Sequence, residues 1–175
     1  MLFLAFVLFA FTTPSYAATY YVDDSLGSDS NNGSSGSPYK TINRGTQSPT
    51  APGDTIIVRS GTYTASDIGR SDKAVYIIAS LGSVAGTSAA PITIRSETPQ
   101  GAQIKIPSLD SGTHGIDISQ PYYIIEGFDI NSVGVTQNTG LSNATAAIIV
   151  NASNTTIRRN YIRDVSRTMC SNSAF

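Results

Sequence analysis

Apolar residues recur in this chain as short alternating doublets, and long helical periodicity is absent. Ile92-Thr93-Ile94, Ile104-Lys105-Ile106, Ile116-Asp117-Ile118, Phe128-Asp129-Ile130 and Ile148-Ile149-Val150 are separated by Gly, Ser, Pro and Asn. Alternation with a period of two predicts strands with one face buried. Further strands are expected at Thr19–Val22 and Thr55–Arg59, on β-branched and aromatic content. Asp23 to Pro38 is dense in Asp, Asn, Ser and Gly and reads as loop. Tyr39 to Gln47 has room for one short helix, opened by Thr41 with Ile42 as its apolar contact.

The doublets repeat. An offset of 24 carries Ile92, Ile94, Ile104 and Ile106 onto Ile116, Ile118, Phe128 and Ile130. An offset of 32 carries Ile116, Ile118, Ile125 and Ile130 onto Ile148, Val150, Ile157 and Ile162. The eight extra residues fit in the polar stretch Asn131–Thr145. One such unit cannot bury its own apolar residues, whereas stacked units can, with adjacent strands roughly 4.8 Å apart in parallel ladders. The fold expected is all-β, a right-handed parallel β-helix (solenoid). A doubly wound α/β sheet lacks its helices here, and a β-sandwich does not account for gapless repeats.

The first eleven residues are an apolar run after Met1, and Ser15-Tyr16-Ala17 has the small-x-small form read by a leader peptidase. No Lys or Arg precedes the run, and it is too short for a membrane span of roughly 20 residues. The expected organisation is a signal peptide over 1–17, an N-terminal cap and loop over 18–53, and β-helix coils over 54–175. The protein is then secreted, extracellular or periplasmic, with no membrane anchor after cleavage.

Composition narrows the partners. Of 175 residues only 13% are charged, and the net charge is −1. A nucleic-acid binder needs a basic stripe to displace counterions, and the eleven Lys and Arg are scattered. The nearest cluster, Arg158, Arg159, Arg163 and Arg167, reads as decoration of one structural turn. The single cysteine, Cys170, excludes an internal disulfide and reads as a packing residue. His114, the one histidine, reads as a turn residue at a strand start. The sequons at Asn32, Asn143, Asn151 and Asn154 are what a chain rich in Asn, Ser and Thr contains by chance.

Several segments, in order, carry a resemblance: Tyr20-Tyr21-Val22, Gly27–Gly33, Pro38-Tyr39-Lys40-Thr41-Ile42, Pro52–Ile56 and Gly61-Thr62-Tyr63. Ala90–Ile94 and Asn154–Ile162 follow them. The set resembles the N-terminal cap and first coils of the pectate-lyase-like right-handed parallel β-helix proteins. That resemblance implies an exported protein acting on an acidic polysaccharide, foremost a polysaccharide lyase performing β-elimination on a uronate polymer. Alternatives on the same scaffold are a non-catalytic binding solenoid, a glycoside hydrolase or an epimerase. Relatives of this kind have more coils, so the chain reads as a truncated N-terminal part, inactive alone, with its catalytic residues unassigned.

Two groups remain as candidate sites. On the 24-residue offset, Lys105 and Asp129 share an outward column with Tyr161, a set able to contact a sugar polymer or to make an ordinary surface ion pair. Asp117 faces outward in the same way. Asp23, Asp24, Asp29 and Asn31 offer oxygen ligands for Ca2+, the cofactor such lyases use. Against an EF-hand pattern, Gly33 falls fifth and Lys40 stands at the twelfth place, so a plain Asx-turn loop is the competing reading.

Overall fold

The computed structural model describes residues 16–64, 73–77, 84–106, 114–132 and 146–165. Met1–Ser15 of the expected leader, Cys170, Arg167 and most of the Asn131–Thr145 stretch lie outside them.

The chain opens with β1 (Thr19–Val22), a loop and the helix α1 (Ile42–Thr46). It then makes successive rounds. The first round is β2 (Thr55–Val58), β3 (Gly61–Thr64) and β4 (Lys73–Ile77). The second is β5 (Ile92–Ser96), β6 (Ala102–Lys105) and β7 (His114–Ile118). The third is β8 (Tyr123–Glu126), β9 (Asp129–Asn131) and β10 (Ala146–Val150), and β11 (Thr156–Arg158) and β12 (Tyr161–Arg163) begin a fourth. Strands of equal place in the round pair with one another. The first sheet runs β1-β2-β5-β8-β11, the second β3-β6-β9-β12, and the third β4-β7-β10. Every pair of named strands among the described residues is parallel. An antiparallel sandwich is thereby excluded for these strands.

The offset of 32 holds. Ile148 pairs with Ile116, Val150 with Ile118, Ile157 with Ile125 and Ile162 with Ile130. The offset of 24 does not. Ile92 pairs with Tyr123, Ile94 with Ile125 and Ile104 with Ile130. The partner of Ile116 in the preceding round is Val75, not Ile92. The reason is physical: an apolar-x-apolar doublet marks an inward-facing strand of any sheet and does not say which. The repeating unit has three strands rather than two, with partners Thr55, Thr93, Ile124 and Thr156 stepping by 38, 31 and 32 residues.

Inward columns make the core. Ile56, Ile94 and Ile125 stack in the first sheet and Ile104 and Ile130 in the second, while Ile116 and Ile118 come from the third, all essentially free of solvent. Each fully buried side chain of this size contributes about 1.5–3 kcal/mol relative to exposure. His114 is the first residue of β7 and is buried, which corrects its reading as a turn residue.

Corners between the first and second sheets are tight. Two residues suffice at Arg59–Ser60, Gly127–Phe128 and Arg159–Asn160, whereas the second round takes five, Glu97–Gly101. Gly127 and Arg159 occupy the same corner position, and both have left-handed backbones, φ 79° and 57°. Asn160 ties the rounds together by accepting from the Phe128 N–H at 2.9 Å and donating to the Ile125 carbonyl at 3.0 Å.

The beginning of the stack is closed by α1 and its loop. Thr41 caps the helix, its hydroxyl accepting from the Arg44 N–H at 3.1 Å, and Ile42 is buried beneath it. Gly45 lies so close to β1 and β2 that a Cβ there would stand 2.7 Å from Val22 Cγ2 and 3.2 Å from Ile56 Cγ2. Among the described residues no helix is long and apolar enough to cross a membrane.

Candidate functional site: a charged cleft at one corner

A cleft of about 130 Å3 lies where the enlarged corner Glu97–Gly101 meets the tight corners of the next two rounds. Arg95, Ser96, Glu97, Pro99, Glu126, Gly127 and Arg159 line it. Arg95 and Glu126 come from outward positions of the first sheet and Glu97 and Arg159 from its corners, and register sets Arg95 beside Glu126 and Glu126 beside Arg158. Both oxygens of Glu126 are held: Oε2 accepts from Arg158 Nε at 3.0 Å and Nη2 at 2.8 Å, and Oε1 from Arg159 Nη1 at 2.7 Å. The bond from Arg158 holds the Glu126 carboxyl below the usual carboxylate range, against the upward push of burial and with help from Arg159. Among the described residues Arg95 has no carboxylate partner; its guanidinium reaches only the Ser96 carbonyl, at 3.5 Å. Two guanidiniums, Arg95 and Arg159, and two carboxylates, Glu97 and Glu126, thus line an open recess, with donors and acceptors side by side.

On the second sheet, Asp129 and Tyr161 are register partners, as expected from the sequence. Lys105 is displaced: it pairs with Asn131, and Gln103 is the residue opposite Asp129. The ion partner of Asp129 is Arg163, through Nε at 3.2 Å and Nη2 at 2.8 Å, with Asn131 Nδ2 adding a third donor at 3.1 Å. Asp129 is 4% exposed and Tyr161 51%, so only the tyrosine presents a broad face to solvent. Arg163 also lies over the Tyr161 ring, 5.8 Å from its centroid. Asp117, placed beside Thr93 by the 24-residue offset, instead pairs with Tyr76 and Ile149. It is buried, with Oδ2 3.3 Å from His114 Nε2.

The Asp-rich loop is a set of backbone clamps. Asp23 Oδ1 accepts from the N–H groups of Ser25 and Leu26 at 3.0 and 2.9 Å, and its Oδ2 from Arg59 at 3.2 Å. Burial raises the pKa of Asp23, but the Leu26, Arg59 and Ser25 donors outweigh it and hold it low. Asp24 accepts from the Ser25 hydroxyl at 2.8 Å and the Thr62 N–H at 3.1 Å. Asp29 accepts from the N–H groups of Lys40 and Thr41, both at 2.9 Å, and from the Thr41 hydroxyl at 2.9 Å. Asn31 Nδ2 donates to the Pro38 carbonyl at 2.8 Å. This donor set does not fit Ca2+, because the carboxylates point at different backbone donors rather than at a common centre. Among the described residues no three His, Cys, Asp or Glu gather where they could hold a metal ion.

The sequence pattern does not single out Arg95, Glu97 and Glu126, and it presents Arg158 and Arg159 as decoration. A signal is nonetheless there: the offset of 32 that stacks Ile125 on Ile157 also sets Glu126 opposite Arg158. Outward columns carry the chemistry, and they obey the same register as the inward ones.

No family model and no curated protein matches the chain. Solved structures do. A rhamnogalacturonan lyase superposes with a TM-score of 0.63 and 20% identity, covering 85% of this chain and 36% of that one. A GH136 lacto-N-biosidase from Eubacterium ramulus superposes in its selenomethionine form with a TM-score of 0.59 and 18% identity, covering 84% of this chain and 27% of that one. Its native form gives 0.53 at the same identity. The chain therefore spans about a third of those proteins or less, and what it shares with them is an all-β fold of parallel sheets.

Proposed function

We propose that this chain is part of an exported carbohydrate-active protein built on a right-handed parallel β-helix of the pectate-lyase-like kind, most economically a polysaccharide lyase acting on an acidic polymer. The observation that supports it is the three-sheet rotation of parallel strands, which superposes on a rhamnogalacturonan lyase over 85% of the chain. The corner cleft is where this chain meets the polymer. Arg95 and Arg159 attract its acidic groups, and Glu97 accepts from its hydroxyls. Lys105 and Tyr161 on the neighbouring sheet extend the contact.

A second reading, glycoside hydrolysis, is favoured by one observation: Glu97 and Glu126, from successive rounds, line the same cleft. Hydrolysis needs two carboxyl groups flanking the scissile bond, one of them ionised, and Glu126 is held ionised by its arginines.

One assay separates these readings. The complete protein of which this chain is proposed to be part is incubated with rhamnogalacturonan, pectate, alginate and chondroitin, with calcium added or chelated. Ultraviolet absorbance follows unsaturated ends, and a reducing-end assay runs in parallel. The lyase reading expects both signals to rise together. Reducing ends without absorbance mean hydrolysis, and neither signal, with the polymer still retained by the protein, means a binding solenoid.

A further inference from the structure

Asp54 stands apart from the cleft and from every role given above. It is fully buried, and three backbone N–H groups converge on its carboxylate. Ala18 donates to Oδ1 at 2.7 Å, and Thr50 and Ala51 donate to Oδ2 at 2.8 and 3.2 Å. Among the described residues no Lys or Arg reaches it. A buried carboxylate with three neutral donors and no cation beside it is a place where a positive charge arriving within hydrogen-bond distance is strongly stabilised, because the site is shielded from water. The chain supplies one at a definite place, because Ala18 is the residue that follows the expected leader cut at Ser15-Tyr16-Ala17.

We infer that Asp54 is the receptor for the α-ammonium group that leader removal creates on Ala18. The inference rests on the export reading. In that cut, catalysed by a leader peptidase, water adds across the Ala17–Ala18 peptide bond. Ala17 leaves with a carboxylate, and the Ala18 nitrogen takes up protons to become an ammonium. The same nitrogen that donated as an amide at 2.7 Å now donates as a cation, and a charge-assisted bond is roughly twice as strong as its neutral counterpart. Little is lost with the leader at this point, since Tyr16 is 85% exposed and Ala17 is exposed as well. Ala18 is already fixed in place, its carbonyl accepting from the Thr55 N–H at 2.8 Å. Processing therefore converts a neutral tether into an ion pair at the closed end of the stack.

The pH signature is distinctive. An ammonium that gains a partner has its pKa raised above the ordinary ~7.7–8.0 of an α-amino group. Its contribution is fully present below that ordinary value and is lost as pH rises through the raised one. The Tyr123 phenol also senses Asp54, but burial first, and the Asp54 charge second, push its ionisation far above this window.

The test compares the chain beginning at Ala18 with the same chain carrying one additional Gly before Ala18, and with the Ala18 form acetylated at its amino group. Urea unfolding is measured from pH 7 to 10. The free Ala18 form is expected to have a folding equilibrium constant on the order of tenfold larger at pH 7 than either blocked form, converging with them as the amine deprotonates. D54N is expected to abolish both the advantage and its pH dependence. If D54N does not fold, the acetylated form decides. Equal stability of free and acetylated forms overturns the inference while leaving export untouched. Mass spectrometry of the full-length chain expressed with its leader tests the reading beneath it: a secreted chain starting anywhere but Ala18 overturns the inference alone, and a chain retained in the cell with residues 1–17 uncut overturns the export reading with it.

Discussion

In the first and the last described strands the same kind of side chain meets opposite fates. At the beginning, Val22, Tyr39 and Ile42 are sealed beneath the loop and α1, none more than 4% exposed. In the last described strands, Val150, Ile157, Tyr161 and Ile162 are between 41% and 51% exposed. Ile125 and Ile157 are register partners of identical type, yet one is 1% and the other 41% exposed. The difference lies in having a paired strand on both sides or, among the described residues, on one. Burial in such a fold belongs to the interface between rounds, and stability is a sum over those interfaces.

The largest effect expected from this contrast comes from truncating one column at two heights. Ile94→Ala, in the interior, should lower unfolding free energy by about 2–5 kcal/mol, whereas Ile157→Ala should change it by less than ~1 kcal/mol. Chemical denaturation of both variants tests this, and equal losses would mean that the last strands are covered in solution.

Next in size is Gly45→Ala at the sealed end. In an open helix this change stabilises by about 1 kcal/mol. Here the new methyl would press on Val22 and Ile56, so a loss of about 1–3 kcal/mol is expected in thermal unfolding. A gain would show that α1 sits looser on the stack than its contacts indicate.

The smallest effect concerns the charged corner. Glu126 has its folded pKa depressed, foremost by Arg158. Its contribution is therefore present above the ordinary carboxylate value and is lost as pH falls through the lowered one. Glu126→Gln should leave stability within ~1 kcal/mol at neutral pH and slightly flatten the decline below about pH 4. A loss much larger than that would make this corner a structural keystone rather than a surface site.

The fold was legible because inward-facing isoleucines leave a regular mark. Thr41 as helix cap, Ile42 as its anchor, β1 to its exact bounds and the pairing of the last two rounds all followed from residue types and one offset. The 24-residue offset misled because it joined a strand of the first sheet to one of the third, and alternation alone cannot tell sheets apart. The cleft escaped for a different reason. It depends on the five-residue corner at Glu97–Gly101 and on outward residues that carry no apolar signal. Asp54 reads as part of a Pro-Gly-Asp turn, and nothing local announces a partner 36 residues earlier.

The corners also set where the molecule tolerates change. Between the second and third sheets the chain spends eight residues in the first two rounds and fourteen in the third, from Ser132 to Thr145, yet register is preserved on both sides of the longer stretch. Lengthening the connection between two paired strands costs only about 0.6 kcal/mol per doubling. The sequence between β9 and β10 is accordingly a natural insertion port, where added residues leave the pairing of the ladders before and after it in place.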